Sequence, residues 1–459
     1  MIQEFNIYKT QEVQKKILDG QRYGIRNMEC EIWKKARVRN SIPRLFFYKS
    51  FLGTGVVIMT IERDVTAEPA GRKSNIESEK TEVSFLYLSE EDMVDAGVLN
   101  AARCVDVMEE AIGLLEDGDF LMGGPYNDAH GLRLYFPKKS PIENFPINNS
   151  RDRRFIAMPA YLGGRFHVAG EKWYGSNGNN RRKGLPRSIL MVMLNDVETG
   201  KPLAYMSGNL LSSMRTGAMP GMAAKLLAKK DAKVLTLLGC GVVNKACLMS
   251  IMTVRPEIEV IKIKGSSPTS QTALNMKHYI EKSYPRVKEV IICDTMEEAI
   301  RDADIVSEAI SCMSGQWPEV KREWMKPGLL YISSSTFNMD YKSIVDLKKV
   351  IDNYGMYENY AEEDELGYDE EGNRLHTGCM GEDFVYMVQD GLIERDSITQ
   401  IGQIIRGKKP GRESDDEIIL VSMEGMPIED VAWAYECYTY ALVHDIGTRL
   451  KVWDKPRAF

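Results

Sequence analysis

Gly239-Cys240-Gly241-Val242-Val243-Asn244 follows directly on an apolar run, Lys233-Val-Leu-Thr-Leu-Leu238, and opens a helical segment. That arrangement suits a pyrophosphate. The first glycine permits a sharp turn, and the second lets a phosphate approach the backbone. The helix start at Val242 and Val243 supplies free N–H groups and a favourable dipole. A tight turn in a sheet that binds nothing is the competing reading. The strand before, the helix after and a second strand about 20 residues on favour the nucleotide. Asn244 stands at the third fingerprint position in place of Gly or Ala, and is expected to loosen helix–strand packing. At the end of the second strand, where an NAD site carries an acid for the ribose 2′-OH, the sequence reads Ile263-Lys264-Gly265-Ser266-Ser267. Glycine there removes repulsion of a 2′-phosphate, and Lys264, Ser266 and Ser267 can donate to one. NADP is therefore expected ahead of NAD. A second chemical feature is cationic. Arg215 lies among small residues at a helix start, in Leu211-Ser-Ser-Met-Arg215-Thr-Gly-Ala218, which places it toward a cleft or a partner. A lone Lys or Arg in a strand-rich region is ordinarily a surface residue.

The chain that must position these groups has 459 residues, enough for two or three domains at roughly 150 residues each. With 44% hydrophobic and 27% charged residues, wholesale disorder is excluded. A net charge of −7 gives no global pull toward nucleic acid or an anionic membrane. No apolar stretch reaches the roughly 20 residues of a membrane span, and the opening MIQEFNIYKTQEVQKK has no signal-peptide core. The eight cysteines show no CxxC and the five histidines are dispersed, so no metal site is expected. The cysteines read as reduced packing residues of a cytoplasmic protein.

Residues 1–80 read as an N-terminal extension, with nine Lys or Arg against three Asp or Glu in 15–44 and a polar linker after the strand-like run to Ile61. Asn100 to Leu115 has helical spacing, Arg133 to Leu194 is strand-rich, Leu210 to Lys229 is a small-residue helix, and helix and strand patterns alternate from Lys233 onward. The fold class is α/β: a Rossmann-type doubly wound parallel sheet over 221–426, beside an α/β unit over 81–220. An acidic insertion, 354–387, interrupts the former; its stretch 356–372 holds eight Asp or Glu and no Lys or Arg. A final helix runs from about Ile428 to Asp445.

Several motifs then occur in one order: Met158-Pro-Ala-Tyr-Leu-Gly-Gly164, Gly170-Glu-Lys172-Trp, Gly184-Leu-Pro186, Leu211–Ala218, Gly411-Arg412-Glu-Ser-Asp-Asp-Glu417-Ile, and Ser422-Met-Glu-Gly425-Met-Pro-Ile-Glu429-Asp430-Val-Ala432. From about residue 83 to 459 the chain resembles the ornithine cyclodeaminase/μ-crystallin family. The resemblance implies a homodimer, built by a substrate domain (81–220, completed by 427–459), with the Rossmann domain between. It also implies hydride transfer between a nicotinamide and the Cα of a small amino, imino or keto acid. By the same resemblance Lys172 binds substrate and Arg215 its carboxylate, with an earlier arginine contributing, Arg133 or its rival Arg154. Thr216 and Gly217 fall where the family contacts cofactor phosphate, and Ser311 joins Gly239, Gly241, Val242, Val243 and Gly265–Ser267 on the cofactor side. The chemistry agrees, because an α-imino carboxylate calls for a fixed, bidentate cation and a second charge to polarise the C=N group.

One departure bears on the substrate. Ornithine-cyclising members carry an Asp shortly after an A-D-I-[VT] segment; here Ala303-Asp304-Ile305-Val306 leads to Cys312 at that place, with Glu308 four residues earlier. A thiol does not steer an ammonium group as a carboxylate does. Imine reduction or amino-acid dehydrogenation is expected over ornithine cyclisation. The resemblance also leaves an alternative of another class: an accessory nucleotide-binding partner of an amine-oxidising system, of the kind associated with tyramine oxidase, or a binder of a small hormone-like ligand. A substrate without a carboxylate would leave Arg215 unmatched. The basic residues 15–44 and the acidic 356–372 offer patches that could meet within a dimer or a larger assembly.

Overall fold

The computed structural model describes residues 45–49, 57–61, 81–148, 153–311, 316–363 and 378–457. The basic segment 15–44, the linker, Cys312 and residues 364–377 of the acidic insertion lie outside them. The chain divides into two units, 1–79 and 80–459. In the first, β1 (Leu45–Lys49) pairs antiparallel with β2 (Val57–Ile61).

The second unit contains two large sheets. One is built from β3 (Val83–Leu88), β4 (Phe120–Met122), β5 (Leu132–Tyr135), β6 (Arg154–Leu162), β7 (Val168–Ser176), β8 (Ser188–Asp196) and β9 (Pro202–Ser207). Its order is β3-β9-β8-β7-β6-β4, with β5 also on β6 and the chain's last strand, Thr448–Trp453, outside β3. Helix α1 (Glu90–Asp95) starts at Ser89 and α2 (Ala101–Asp117) at Asn100; both caps accept a backbone N–H from the first turn. On β6 and β7 burial alternates, so Ile156, Met158, Val168, Gly170 and Lys172 turn to one covered face.

Helix α3 (Asn209–Leu227) leads out of this sheet and packs on α4 (Val242–Val254). Its small residues let the two backbones approach: a Cβ on Gly217 would lie 2.4 Å from the Ala246 carbonyl carbon, and one on Gly221 2.6 Å from Ser250 Cβ.

The other sheet comprises β10 (Val234–Leu238), β11 (Val260–Lys264), β12 (Glu289–Ile292), β13 (Ile305–Glu308), β14 (Leu330–Ser333), β15 (Lys348–Ile351), β16 (Ile398–Gln400) and β17 (Ile419–Ser422). All its pairs are parallel, in the order β12-β11-β10-β13-β14-β17-β15-β16. Its central strands are continuous apolar runs because helices cover both faces. Helices α5 (Gln271–Ser283) and α6 (Met296–Ile300) lie in its crossovers. The strand order reverses at β10 and β13, which opens a crevice beyond their C-terminal ends. The insertion contributes α7 (Tyr354–Glu363) and α8 (Met380–Gln389); α9 (Ile401–Ile405) follows β16. Helix α10 (Pro427–His444) returns to the first sheet and packs across β6, β7 and β8. Among the described residues no helix is long and apolar enough to cross a membrane, and no group of three or more His, Cys, Asp or Glu is arranged to hold a metal.

Candidate active site

The glycine turn lies at the reversal of strand order. Gly239 adopts φ +95°, and a Cβ there would come within 2.6 Å of the Ala309 carbonyl oxygen. Gly241 is the N-cap of α4, has no side-chain cap, and faces open space within 4 Å of where its Cβ would be. Val242 is 72% exposed although apolar. This cradle fits a dinucleotide phosphate: an uncapped helix start and a glycine whose missing side chain leaves room.

Asn244 does the opposite of loosening the motif. Its Nδ2 donates to the carbonyls of Leu238 (2.7 Å), Gly239 (2.8 Å) and Ser307 (3.2 Å), while its Oδ1 accepts from Ser307 Oγ at 2.7 Å. A side-chain amide thus ties the turn to β13, where a Gly or Ala would make only van der Waals contact. Gly265 is enclosed: a Cβ there would lie 2.8 Å from Ser270 Oγ and 3.1 Å from Ala273 Cβ. Lys264 Nζ donates to the Gly265 carbonyl at 2.7 Å, Ser266 is exposed and Ser267 half-buried. Ser311 is exposed beyond β13. Thr216 Oγ1 donates to the Ser212 carbonyl at 2.7 Å. Gly217 is buried in the α3–α4 crossing.

Lys172 and Arg215 are brought together by a residue that sequence reasoning did not single out. Lys172 Nζ donates to Asp430 Oδ2 at 2.6 Å and to Ser212 Oγ at 3.2 Å. Arg215 Nε donates to Asp430 Oδ1 and its Nη1 to Glu429 Oε2, each at 2.9 Å. One carboxylate therefore bridges both cations, and all four side chains are buried. Asp430 and Glu429 sit in the first turn of α10, which begins at Pro427. Gly425, at φ +88°, makes room: a Cβ there would fall 1.8 Å from Arg215 Nη1. The signals in the sequence are two adjacent acids inside the apolar stretch Met426–Ala432 and their place in the last of the family motifs.

Burial pushes the Lys172 ammonium down to about 8; Arg215 adds to this and Asp430 opposes it. Burial also works against the Arg215 charge, but Asp430 and Glu429 outweigh it and hold the guanidinium above its ordinary value. Glu429 is pushed up to about 8 by burial, with Arg215 opposing and Asp352 adding repulsion.

Arg133 pairs with Ile156 across β5–β6, so it shares the covered face with Lys172, which pairs with Met158. Its Cζ lies 4.6 Å from the Tyr360 ring on α7. Burial, then Arg133, Lys172, Arg215 and Arg154, hold His130 well below the usual imidazole range. Both rival arginines thus stand near the pair, and His130 and Tyr360 join them without having been foreseen. Glu308 is buried at the end of β13, accepting from Ser333 Oγ, Ser335 Oγ and the Ile310 N–H. Burial pushes it up to about 7. Its oxygens are engaged within the sheet.

The ornithine cyclodeaminase/mu-crystallin family model matches residues 98–444. The chain belongs to this family. A curated relative, N-((2S)-2-amino-2-carboxyethyl)-L-glutamate dehydrogenase of Staphylococcus aureus, is 29% identical over 371 residues, covering 80% of this chain and 99% of that protein. The alanine dehydrogenase of Archaeoglobus fulgidus is 29% identical over 307 residues, or 64% of this chain and 83% of that one. Among solved structures, the Δ(1)-pyrroline-2-carboxylate reductase of Thermococcus litoralis with NADH and L-proline superposes with TM-score 0.63 at 26% identity, covering 79% of this chain and 99% of that one. An archaeal alanine dehydrogenase dimer with bound NAD gives TM-score 0.63 at 27% identity, covering 81% and 100%. The family resemblance expected from the motifs is borne out, as is the α/β class with a parallel nucleotide-type sheet.

Proposed function

We propose that this protein, an NAD(P)-dependent oxidoreductase of its family, moves a hydride between nicotinamide and the Cα of a small amino or imino acid held by Lys172 and Arg215. The observation that carries this reading is the shared carboxylate of Asp430, which holds two buried cations in one fixed relation. Bound at Gly239, Gly241, Val242 and Val243, the dinucleotide supplies or accepts the hydride. With Nε on Asp430 and Nη1 on Glu429, Arg215 turns Nη2 to the substrate carboxylate, with Arg133 as the second arginine. Lys172 serves the reacting nitrogen. Protonated, it polarises a C=N or C=O group; deprotonated, it takes a proton from a substrate ammonium. A pKa of about 8 makes both states accessible near neutrality.

Gly265 with Ser266 and Ser267 supports NADP ahead of NAD. The engagement of Glu308 within the sheet supports simple reduction or dehydrogenation over ornithine cyclisation. A homodimer is supported by apolar exposure on the last helix, where Val443 is 80% exposed, and on the edge strand, where Leu450, Val452 and Trp453 are open; light scattering on the purified protein reads it. The described cysteines are free, and all but Cys240 are buried, which supports a reducing, cytoplasmic setting.

The test is oxidation of NADPH and NADH by the purified protein with Δ1-pyrroline-2-carboxylate, and with pyruvate or 2-oxoglutarate plus ammonia or methylamine. Turnover is expected with at least one acid, reduced roughly 100-fold or more in Lys172→Met and in Arg215→Met. No turnover with any of them, or full activity in both variants, refutes the assignment. Tighter binding of NADH than NADPH refutes the cofactor preference alone.

A further inference from the structure

Asp352 follows β15 directly and is fully buried. Its carboxylate is surrounded by donors. Oδ1 accepts the Asn353 N–H at 2.9 Å and Oδ2 the Glu424 N–H at 3.1 Å, and the Gly425 N–H and the Tyr357 hydroxyl complete the set. An ionised carboxylate has about four lone-pair sites, so these donors use them all. Burial pushes the carboxyl up to about 6, with Tyr357 first among the groups that oppose the shift.

Two of these donors belong to the turn that bears on Arg215. Successive N–H groups, of Glu424 and Gly425, aimed at one carboxylate fix that turn. Gly425, at φ +88°, lies so close to the arginine that a Cβ would meet Nη1 at 1.8 Å. Two residues on, α10 begins at Pro427 and delivers Glu429 and Asp430 to the guanidinium. The segment 423–426 therefore sets both the floor under Arg215 and its counter-ions. Tyr357 ties the same segment to the insertion. Its hydroxyl, on α7, accepts from Ser422 Oγ at 3.1 Å, and Ser422 Oγ accepts the Gly381 N–H of α8 at 2.8 Å. A Cβ on Gly381 would lie 2.5 Å from Tyr357 Cζ, so α8 packs directly on the ring that presents the hydroxyl. Ser422 ends β17, immediately before the segment.

We propose that Asp352 is a positioning residue for Arg215: it clamps the Glu424–Gly425 turn against the guanidinium, and the insertion supports the clamp through Tyr357. This rests on the reading above, in which Arg215 receives the substrate carboxylate, and it gives the insertion a part in acid binding. An asparagine at 352 keeps the shape but has one acceptor oxygen and an NH2 group, so at most two of the four donors keep a partner. The turn then loosens and Arg215 loses its floor. The glycine turn at Gly239 follows β10, four strands from β15 in the sheet order, or about 19 Å at the usual strand spacing. Acid binding is therefore weakened while dinucleotide binding is not.

The experiment compares full-length wild type, Asp352→Asn and Tyr357→Phe by crystal structure, by NADPH binding, and by KM and kcat for the acid that turns over in the assay above. In Asp352→Asn the KM for the acid is expected to rise about 10-fold or more, with kcat and the NADPH Kd within about 2-fold of wild type. The Arg215 guanidinium is expected to leave its place on Gly425. Tyr357→Phe keeps the ring on Gly381 and is expected to raise KM about 2- to 5-fold in the same pattern. The split between KM and the NADPH Kd separates a clamp on Arg215 from a general loosening of the fold. An unchanged KM in a folded variant, an unmoved Arg215 in Asp352→Asn, or an NADPH Kd that rises together with KM overturns the clamp. Where Asp352→Asn does not fold, Tyr357→Phe decides by the same readings. Absence of turnover with every acid in wild type refutes the oxidoreductase reading alone, and the place of Arg215 in the variant crystals then decides the clamp.

Discussion

Replacing Asp430 by Asn removes the charge that Lys172 and Arg215 share and keeps the shape. Asp430 Oδ2 lies 2.6 Å from Lys172 Nζ, a separation worth about 6 kcal/mol in an effective dielectric of about 20, before any relaxation. Opposite charges this close shift a pKa by about 1–3 units in practice. Asp430 is one of the groups that raise the Lys172 value, and what then remains is led by burial and Arg215, which both lower it. The direction is therefore downward from about 8. Reduction needs the protonated ammonium, so the alkaline limb of kcat/KM follows the Lys172 pKa of the free enzyme. Once the pH exceeds the lowered pKa, the protonated fraction falls about tenfold for each unit of that shift, so reduction at neutral to alkaline pH drops and acidifying restores it. Glu429 partly compensates for Arg215, because Asp430 is among the groups that raise Glu429, and its loss favours the Glu429 carboxylate. The assay is a pH profile of NADPH-dependent reduction for wild type and variant. A urea midpoint alongside detects the roughly 3–5 kcal/mol that breaking a buried pair can cost. An alkaline limb that stays in place or moves upward in a folded variant refutes the reasoning, as does activity lost at every pH.

Two further substitutions separate the elements that build the site. Gly425→Ala places a methyl 1.8 Å from Arg215 Nη1 at φ +88°. It is expected to lower stability by about 4–6 kcal/mol, from left-handed strain and a displaced buried arginine, and to raise KM for the acid; a native urea midpoint with native KM contradicts this. Asn244→Ala leaves the carbonyls of Leu238 and Gly239 without their side-chain donor, which costs about 1–3 kcal/mol. Dinucleotide Kd rises in a fluorescence titration, while KM for the acid at saturating cofactor stays near wild type; a Kd unchanged from wild type shows that the amide does not hold the turn.

The parts of this site that the sequence discloses are those governed by local rules. Gly239 and Gly241 are legible because strand, turn and helix are contiguous, and a backbone that must turn sharply toward a phosphate excludes side chains. Arg215 is legible because a long cation among small residues has few apolar neighbours to lie against. Lys172 is different: on a strand, one lysine at an inward position looks like any surface lysine until the register of β6, β7 and β8 is known, and only the family motif singles it out. Asp430 could not be found by such means, since its partners stand 258 and 215 residues away and meet it only because α10 returns to the first sheet. Asn244 shows how a local rule misleads. Judged by helix–strand sterics it is too large, but its amide is used by Ser307, 63 residues further on, on a strand that parallel pairing places beside the turn. The last strand, Thr448–Trp453, is exposed along its whole length, although Leu450 and Val452 alternate with Arg449 and Lys451. Chemistry written by one segment is visible in one dimension; chemistry that depends on a charge shared between segments belongs to topology. That is why the pKa of Lys172, lowered first by burial and then by Arg215 and held up by the Asp430 that the returning last helix brings, is set by topology and not by the lysine's neighbours in sequence.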